Sequence, residues 1–312
     1  MIIKNKSGFQ MSFAWIFAII VGVFILFLAI YGVTQFSDTG EDVSDISAGS
    51  EIGGILSALE TGVESGQVTS LRMPLETRII NGCNPEGTFG TQSIGISQKN
   101  RGSWSESDLE VTFRDKYLFS ERNVQGRSFF FFSKPFELPF EVADLTYVTS
   151  SEDNYCFVDA PENIKEELEN LGQENMFTED SFDSCQETSI KVCFENFGED
   201  CEVEVDYLSG KVVKNRESVY FETDSLMYAA IFSEPQYYEC QVERLIKKTD
   251  ELSSIYESKA NIISAEGCNS NVDLGSFRNL LGNYRDSSNL LDIAITANNI
   301  DSQNSRERCK LW

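Results

Sequence analysis

From Ser7 to Ser37 the chain carries no charged residue, and Phe, Ile, Val, Leu, Ala and Trp make up most of the stretch. Lys4 and Lys6 stand just before it; Asp38, Glu41, Asp42 and Asp45 stand just after it. Its apolar centre, residues 11–31, matches the ~20 residues an α-helix needs to cross a bilayer core. A cleaved secretory signal has a shorter apolar part, about 7–15 residues, and a small-x-small exit. No such exit stands before Asp38. Lysines precede the stretch and no basic residue follows it until Arg72, which orients the N-terminal end toward the cytoplasm. The sequence therefore predicts a cytoplasmic segment at 1–10 and a single membrane helix at 11–33 that partners the lipid bilayer. A linker and juxtamembrane helix at 34–66 follow, and all the rest lies outside the cell.

The chain as a whole is 41% hydrophobic with 23 Phe and 11 Tyr, most of them after the apolar stretch, ample for a buried core there. All eight cysteines follow the apolar stretch: Cys83, Cys156, Cys185, Cys193, Cys201, Cys240, Cys268 and Cys309. None forms a C-x-x-C pair, and the chain has no histidine to complete a zinc site. An even count outside the membrane reads as disulfides, with connectivity left open.

The net charge is −25, unevenly spread. Residues 151–235 carry 5 basic and 22 acidic side chains, against 9 and 11 in residues 236–312. The acidic block would repel nucleic acid and anionic headgroups. Arg244, Lys247, Lys248, Arg306, Arg308 and Lys310 follow it. They are expected to face solvent, or to meet the acidic block of the same chain, of another copy or of an envelope partner.

Hydrophobic periodicity divides the chain further. Ile52, Ile55, Leu56, Leu59 and Val63 share a helical face. From about Val68 the pattern becomes strand-like: 77–80, 93–97, 109–113 and 128–133, with turns such as Asn84-Pro85-Glu86-Gly87 between them. Phe129 to Phe132 are four phenylalanines in a row, so a strand here must be covered on both faces. Tyr155 to Val158 reads as a strand, and a helix follows with Asp159 as N-cap, Ile164, Leu168 and Leu171 on one face, and Gly172 to end it. Residues 173–187 read as acidic loop. Strands are expected at 190–194 and 202–207, with Ser209-Gly210 turning a hairpin.

After Ser233-Glu234-Pro235-Gln236, a capping-box pattern with a first-turn proline, the chain turns helical. Tyr238, Val242, Leu245, Leu252, Tyr256 and Ile263 keep helical spacing up to Gly267. Two shorter helices follow, one carrying Phe277, Leu280, Leu281 and Tyr284, the other Leu290, Leu291, Ala294 and Ile295. The expected fold is an α+β ectodomain, β-rich over 67–232 and helical over 233–312, stapled by disulfides.

Without histidine, serine–histidine and cysteine–histidine catalysis are excluded within this chain. No G-x-S-x-G elbow, S-x-x-K pattern or Gly-rich phosphate loop is present. Asp180, Asp183 and Glu187 stand close together without EF-hand spacing. No catalytic, cofactor-binding or metal-ligating residue is singled out. A carboxylate pair of the glycosidase kind remains open among the 50 acids, with Trp104 and several tyrosines as a sugar platform.

The run Lys6-Ser7-Gly8-Phe9-Gln10-Met11-Ser12-Phe13-Ala14-Trp15 resembles the N-termini of archaeal type IV pilin-like proteins; the rest has the general look of archaeal membrane-anchored surface proteins. The resemblance implies cutting by a dedicated peptidase after Gly8 and a helix that anchors the subunit or packs into a filament core. Phe9 stands between Gly8 and Gln10, and Phe13 and Ala14 occupy the neighbourhood where many pilins keep a glutamate. Three functions follow in order: a non-enzymatic, membrane-anchored surface protein for structure, binding or attachment; a pilin-like filament component; and an extracellular carboxylate-dependent hydrolase.

Overall fold

Strand β1, Val68–Asn84, opens a sheet that closes round its own side chains. A computed structural model describes residues 21–31, 54, 68–100, 102–105, 110–194 and 201–312. The remaining strands of this first sheet are β2 (Thr91–Asn100), β3 (Ser103–Trp104), β4 (Glu110–Phe113), β5 (Tyr117–Phe119), β6 (Asn123–Glu137) and β7 (Glu141–Ser150). Their order is β3-β2-β1-β6-β7-β5, with β4 also paired to β2. All pairs are antiparallel except β5 with β7. The strands at the two ends, β4 and β5, are joined only by Arg114, Asp115 and Lys116, so the sheet curls back on itself. Inside the curl lie Leu71, Ile79, Ile96, Leu118, Phe129, Phe131 and Val148, all from this one sheet.

The second sheet is mixed: β8 (Tyr155–Val158), β9 (Met176–Glu179), β10 (Ile190–Phe194), β11 (Val203–Asp206), β12 (Lys211–Lys214) and β13 (Glu217–Tyr220). Its order is β13-β12-β11-β10-β8-β9. The four strands β9, β8, β10 and β11 run parallel, and β11 to β13 form an antiparallel meander. Helix α1, Glu162–Leu171, crosses from β8 to β9 and buries Ile164, Leu168 and Leu171, the face its spacing predicts. Gly172 ends it in the left-handed region at φ 58°, with its N–H on the Glu169 carbonyl. The start differs: Asp159 lies outside, Pro161 holds the cap position, and no side chain caps the helix. Residues 173–187 are not all loop, since they supply β9 and a short 3₁₀ turn at Phe182–Ser184.

Helix α2, Asp224–Phe232, has no counterpart in the periodicity because it is apolar all round. Every residue from Ser225 to Phe232 is buried. It lies between the sheets, against β5, β6 and β7 on one side and β12 and β13 on the other. Alternation along β6 explains the phenylalanine run. Phe129 and Phe131 enter the curl of the first sheet, while Phe132 and Phe136 face the shared core. There the Phe232 ring lies 5.8 Å from Phe132 and 5.0 Å from Tyr155, joining helix and both sheets.

The helical C-terminal part follows: α3 (Pro235–Ala265), α4 (Leu274–Leu281) and α5 (Leu290–Arg306). Pro235 sits in the first turn of α3 as expected, but Ser233 and Glu234 make no side-chain cap. Tyr238, Val242 and Leu245 are buried, and Gly267 follows the helix at φ 89°. On α5 the buried face is Leu290, Ile293, Ala297 and Ile300, whereas Leu291 and Ile295 are half exposed or more. Adjacent apolar residues at 290–291 and 294–295 admit two helical phases; packing selected the one through Ile293.

All eight cysteines are bridged: Cys83–Cys240, Cys156–Cys185, Cys193–Cys201 and Cys268–Cys309. Four disulfides mark an extracellular, oxidising setting. Residues 21–31 are helical and exposed. The rest of the expected membrane helix, Gly8 and the 52–63 helix (Gly54 apart) fall outside the described residues. Among the described residues no helix is long and apolar enough to cross a membrane.

Candidate functional site

A cleft of about 730 Å³ opens where three elements meet: β6 after Phe132, the length of α1, and the first turn of α2. Alternation along β6 brings Lys134 onto the same face as Phe132, one step beyond the core. Helical spacing places Asn163, Glu166, Glu167 and Asn170 on the open side of α1. Thr223 caps α2 by accepting the Leu226 N–H at 3.2 Å, which sets Asp224 in the first turn, where the helix dipole favours a negative charge.

Two polar chains organise the cleft. Lys134 forms an ion pair with Glu167, whose other oxygen accepts the Tyr228 hydroxyl at 3.3 Å. The Lys134 ammonium also lies 5.1 Å from the centre of the Tyr228 ring. On the other side the Asn163 amide donates to the Tyr207 hydroxyl at 3.3 Å, and that hydroxyl donates to Asp224 at 3.0 Å. Tyr147 donates from below to the Ser225 carbonyl at 2.6 Å. Burial, with Glu167 and Asp224 beside it, pushes the Tyr228 phenol above its ordinary range. Burial also raises Tyr207, and its hydrogen bond to Asp224 adds to this. Both phenols therefore remain hydrogen-bond donors at neutral pH.

The arrangement offers carboxylate and amide oxygens to a ligand rich in donors, with Glu137 and Glu166 exposed at the rim. Glu167 and Asp224 each already accept from a donor of the chain itself. Among the described residues no group of three or more His, Cys, Asp or Glu side chains is placed to hold a metal ion.

None of the cleft residues was distinguished in the sequence, since 50 acids give no spacing that selects Glu167 and Asp224. One signal was present: Thr223-Asp224 immediately before the apolar run 226–232 is a helix start. The bridged cysteines lie elsewhere, none of them lining the cleft. Trp104 is covered rather than free as a platform, with Arg78 at 4.1 Å and Lys99 at 5.5 Å from its ring centre. Asp180 pairs with Lys165 at 2.7 Å. Within the chain Arg244 and Lys247 bond carbonyls of residues 85–116 rather than the acidic block. Lys247 bonds the Pro85 carbonyl, and Lys248 lies 5.4 Å from the Tyr117 ring centre in the first sheet.

No protein-family model matches the chain, and neither the curated proteins nor the solved structures give a match.

Proposed function

We propose that the chain is a single-pass, membrane-anchored surface protein, N-terminus inside and disulfide-bonded part outside. Its role is binding or attachment, alone or as one subunit of an envelope assembly. The observation that carries this reading is the helix at 21–31. Its Phe24, Ile25, Leu26 and Phe27 side chains are each more than 60% exposed. Removing a large apolar side chain from water is worth about 1.5–3 kcal/mol, so a helix bare on every side requires an apolar surrounding. The sequence on both sides of it is uncharged, and the apolar run 11–31 has the length a bilayer span needs. Carboxylates already engaged by Lys134, Tyr228 and Tyr207 favour binding over proton transfer in the cleft. Alkaline carbonate extraction of cell membranes tests the anchor: the chain should stay in the pellet, and release into the supernatant would reject it.

The same bare helix favours a second reading, in which copies pack their helices together as a pilin-like filament component. Mass spectrometry of the mature N-terminus separates the two. A chain cut after Gly8 supports the filament component, and an intact N-terminus supports the simple anchor.

A further inference from the structure

Along β6, the face that carries Phe132 into the core and Lys134 into the cleft continues in the other direction through Phe130 and Ser128. These two line a second pocket, of about 410 Å³. The β1–β6 register sets Ser70 opposite Phe130 and Arg72 opposite Ser128, and cross-strand partners share a face. The facing wall is the turn that leaves α1, Gly172-Gln173-Glu174.

Gln173 is the residue that needs explaining. It is 5% exposed, and neither its amide nitrogen nor its amide oxygen has a hydrogen-bond partner. Two residues on, the buried Asn175 amide donates to Thr149 Oγ1, the Ser150 carbonyl and the Asp153 carbonyl at 3.0–3.1 Å. The Asn175 amide oxygen is also unpartnered, but among the buried side chains of the described residues Gln173 alone leaves both amide atoms without a partner. A buried polar group left unpaired costs about 1–3 kcal/mol, a cost that Met or Leu at this position would not carry.

We propose that this pocket binds a neutral polyhydroxylated ligand, a saccharide ring. The wall supplies donors and acceptors together: the Gln173 amide and the hydroxyls of Ser70 and Ser128. Arg72 and Glu174 bring opposite charges, so the pocket selects neither anion nor cation. Half-buried Phe130 offers an apolar surface between the polar groups. A sugar ring matches all three features, with hydroxyls that each donate and accept and a C–H face to lie on an aromatic ring. The pocket belongs wholly to the disulfide-bonded part, so its ligand is independent of the anchor.

The test is titration calorimetry of the full chain in phosphocholine micelles. The probes are maltose, cellobiose and N,N′-diacetylchitobiose, and in a second arm the same micelles doped with digalactosyl diacylglycerol. Heat with a soluble disaccharide identifies a free saccharide as the ligand; heat with the galactolipid alone identifies a lipid-borne sugar. Gln173→Met should weaken whichever binding occurs at least tenfold while leaving the thermal midpoint equal or higher. Arg72→Met, at an exposed position, should weaken it in a protein that folds normally, and decides the matter if Gln173→Met does not fold. No heat with any probe, or unchanged affinity in the folded variants, would overturn the proposal.

Discussion

The guanidinium of Arg244 lies 4.7 Å from the centre of the Tyr117 ring, and the arginine is completely buried. It donates to the carbonyls of Phe89 at 3.1 Å, Lys116 at 3.0 Å and Arg114 at 3.1 Å, and to the Gln241 side chain at 2.6 Å. One helical turn earlier on α3, Cys240 is bridged to Cys83 at the end of β1. Gln241 and Tyr237 continue this face, both bonded to Gln92 of β2 at 2.9 Å. The long helix is thereby fastened to the curled sheet by a covalent bond, a buried cation and a side-chain amide network.

Arg244→Met should destabilise the fold by about 3–5 kcal/mol, because it strands buried carbonyls that the guanidinium satisfies. Arg244→Lys should recover only part of this, since one ammonium cannot reach four acceptors spread round a planar fork. Urea unfolding measures both; a loss under about 1 kcal/mol for the methionine variant would show that the contact contributes little.

The bridges should rank by the loops they close. Cys83–Cys240 spans 157 residues and Cys193–Cys201 spans 8. Chain-entropy arguments give about 5 kcal/mol for the first and about 2.5 kcal/mol for the second. Paired Ala substitutions followed by thermal melting should lower the midpoint more for Cys83/Cys240. The reverse order would show that local strain or residual structure dominates.

Glu239 gives the fold a pH dependence of definite sign. It is largely buried and accepts from the Ser287 N–H at 2.9 Å and the Tyr284 hydroxyl at 3.3 Å. Burial raises its carboxyl above the ordinary range, with the Ser287 hydrogen bonds acting against this. A raised folded value means stability that is present below the unfolded value of about 4.3 and lost as pH rises through the folded value. Glu239→Gln removes that loss. The stability difference between variant and wild type should shift in the variant's favour from pH 4 to pH 7. A difference that stays constant over that range would refute the assignment.

Strands and amphipathic helices were legible wherever one face is wet. β2, α1 and α3 show their period in the sequence, because one face is polar and the other is not, whereas β6 was legible as an apolar run covered on both faces. Helix α2 was invisible for the opposite reason: with Ser225 to Phe232 all buried, no polar face marks the phase. Strand β9 was hidden by the acidic composition of 173–187, since an edge strand keeps half its residues wet. The exposed Leu291 and Ile295 misled because packing, not composition, decides which apolar face turns inward. The cleft was unreadable since its residues come from β6, α1 and α2, and only tertiary structure brings Lys134 to Glu167 and Tyr207 to Asp224. Arg244, expected at solvent or against the acidic block, is instead buried, because nothing local to an arginine announces three carbonyl acceptors from distant parts of the chain.

Leu26→Arg or Phe27→Arg should impair insertion, as a charge at the centre of a membrane helix costs about 2.5–3.5 kcal/mol on insertion scales. The readout is the carbonate-resistant fraction, which should fall for either variant and stay at the wild-type level for Leu26→Ile. Equal resistance of all three would remove this segment as the anchor.

The most direct test of the anchored, outward-facing arrangement is proteinase K added to intact cells. The account predicts that the disulfide-bonded part after Asp38 is degraded while cytoplasmic proteins survive. Full protection on intact cells, with digestion only after lysis, would contradict it.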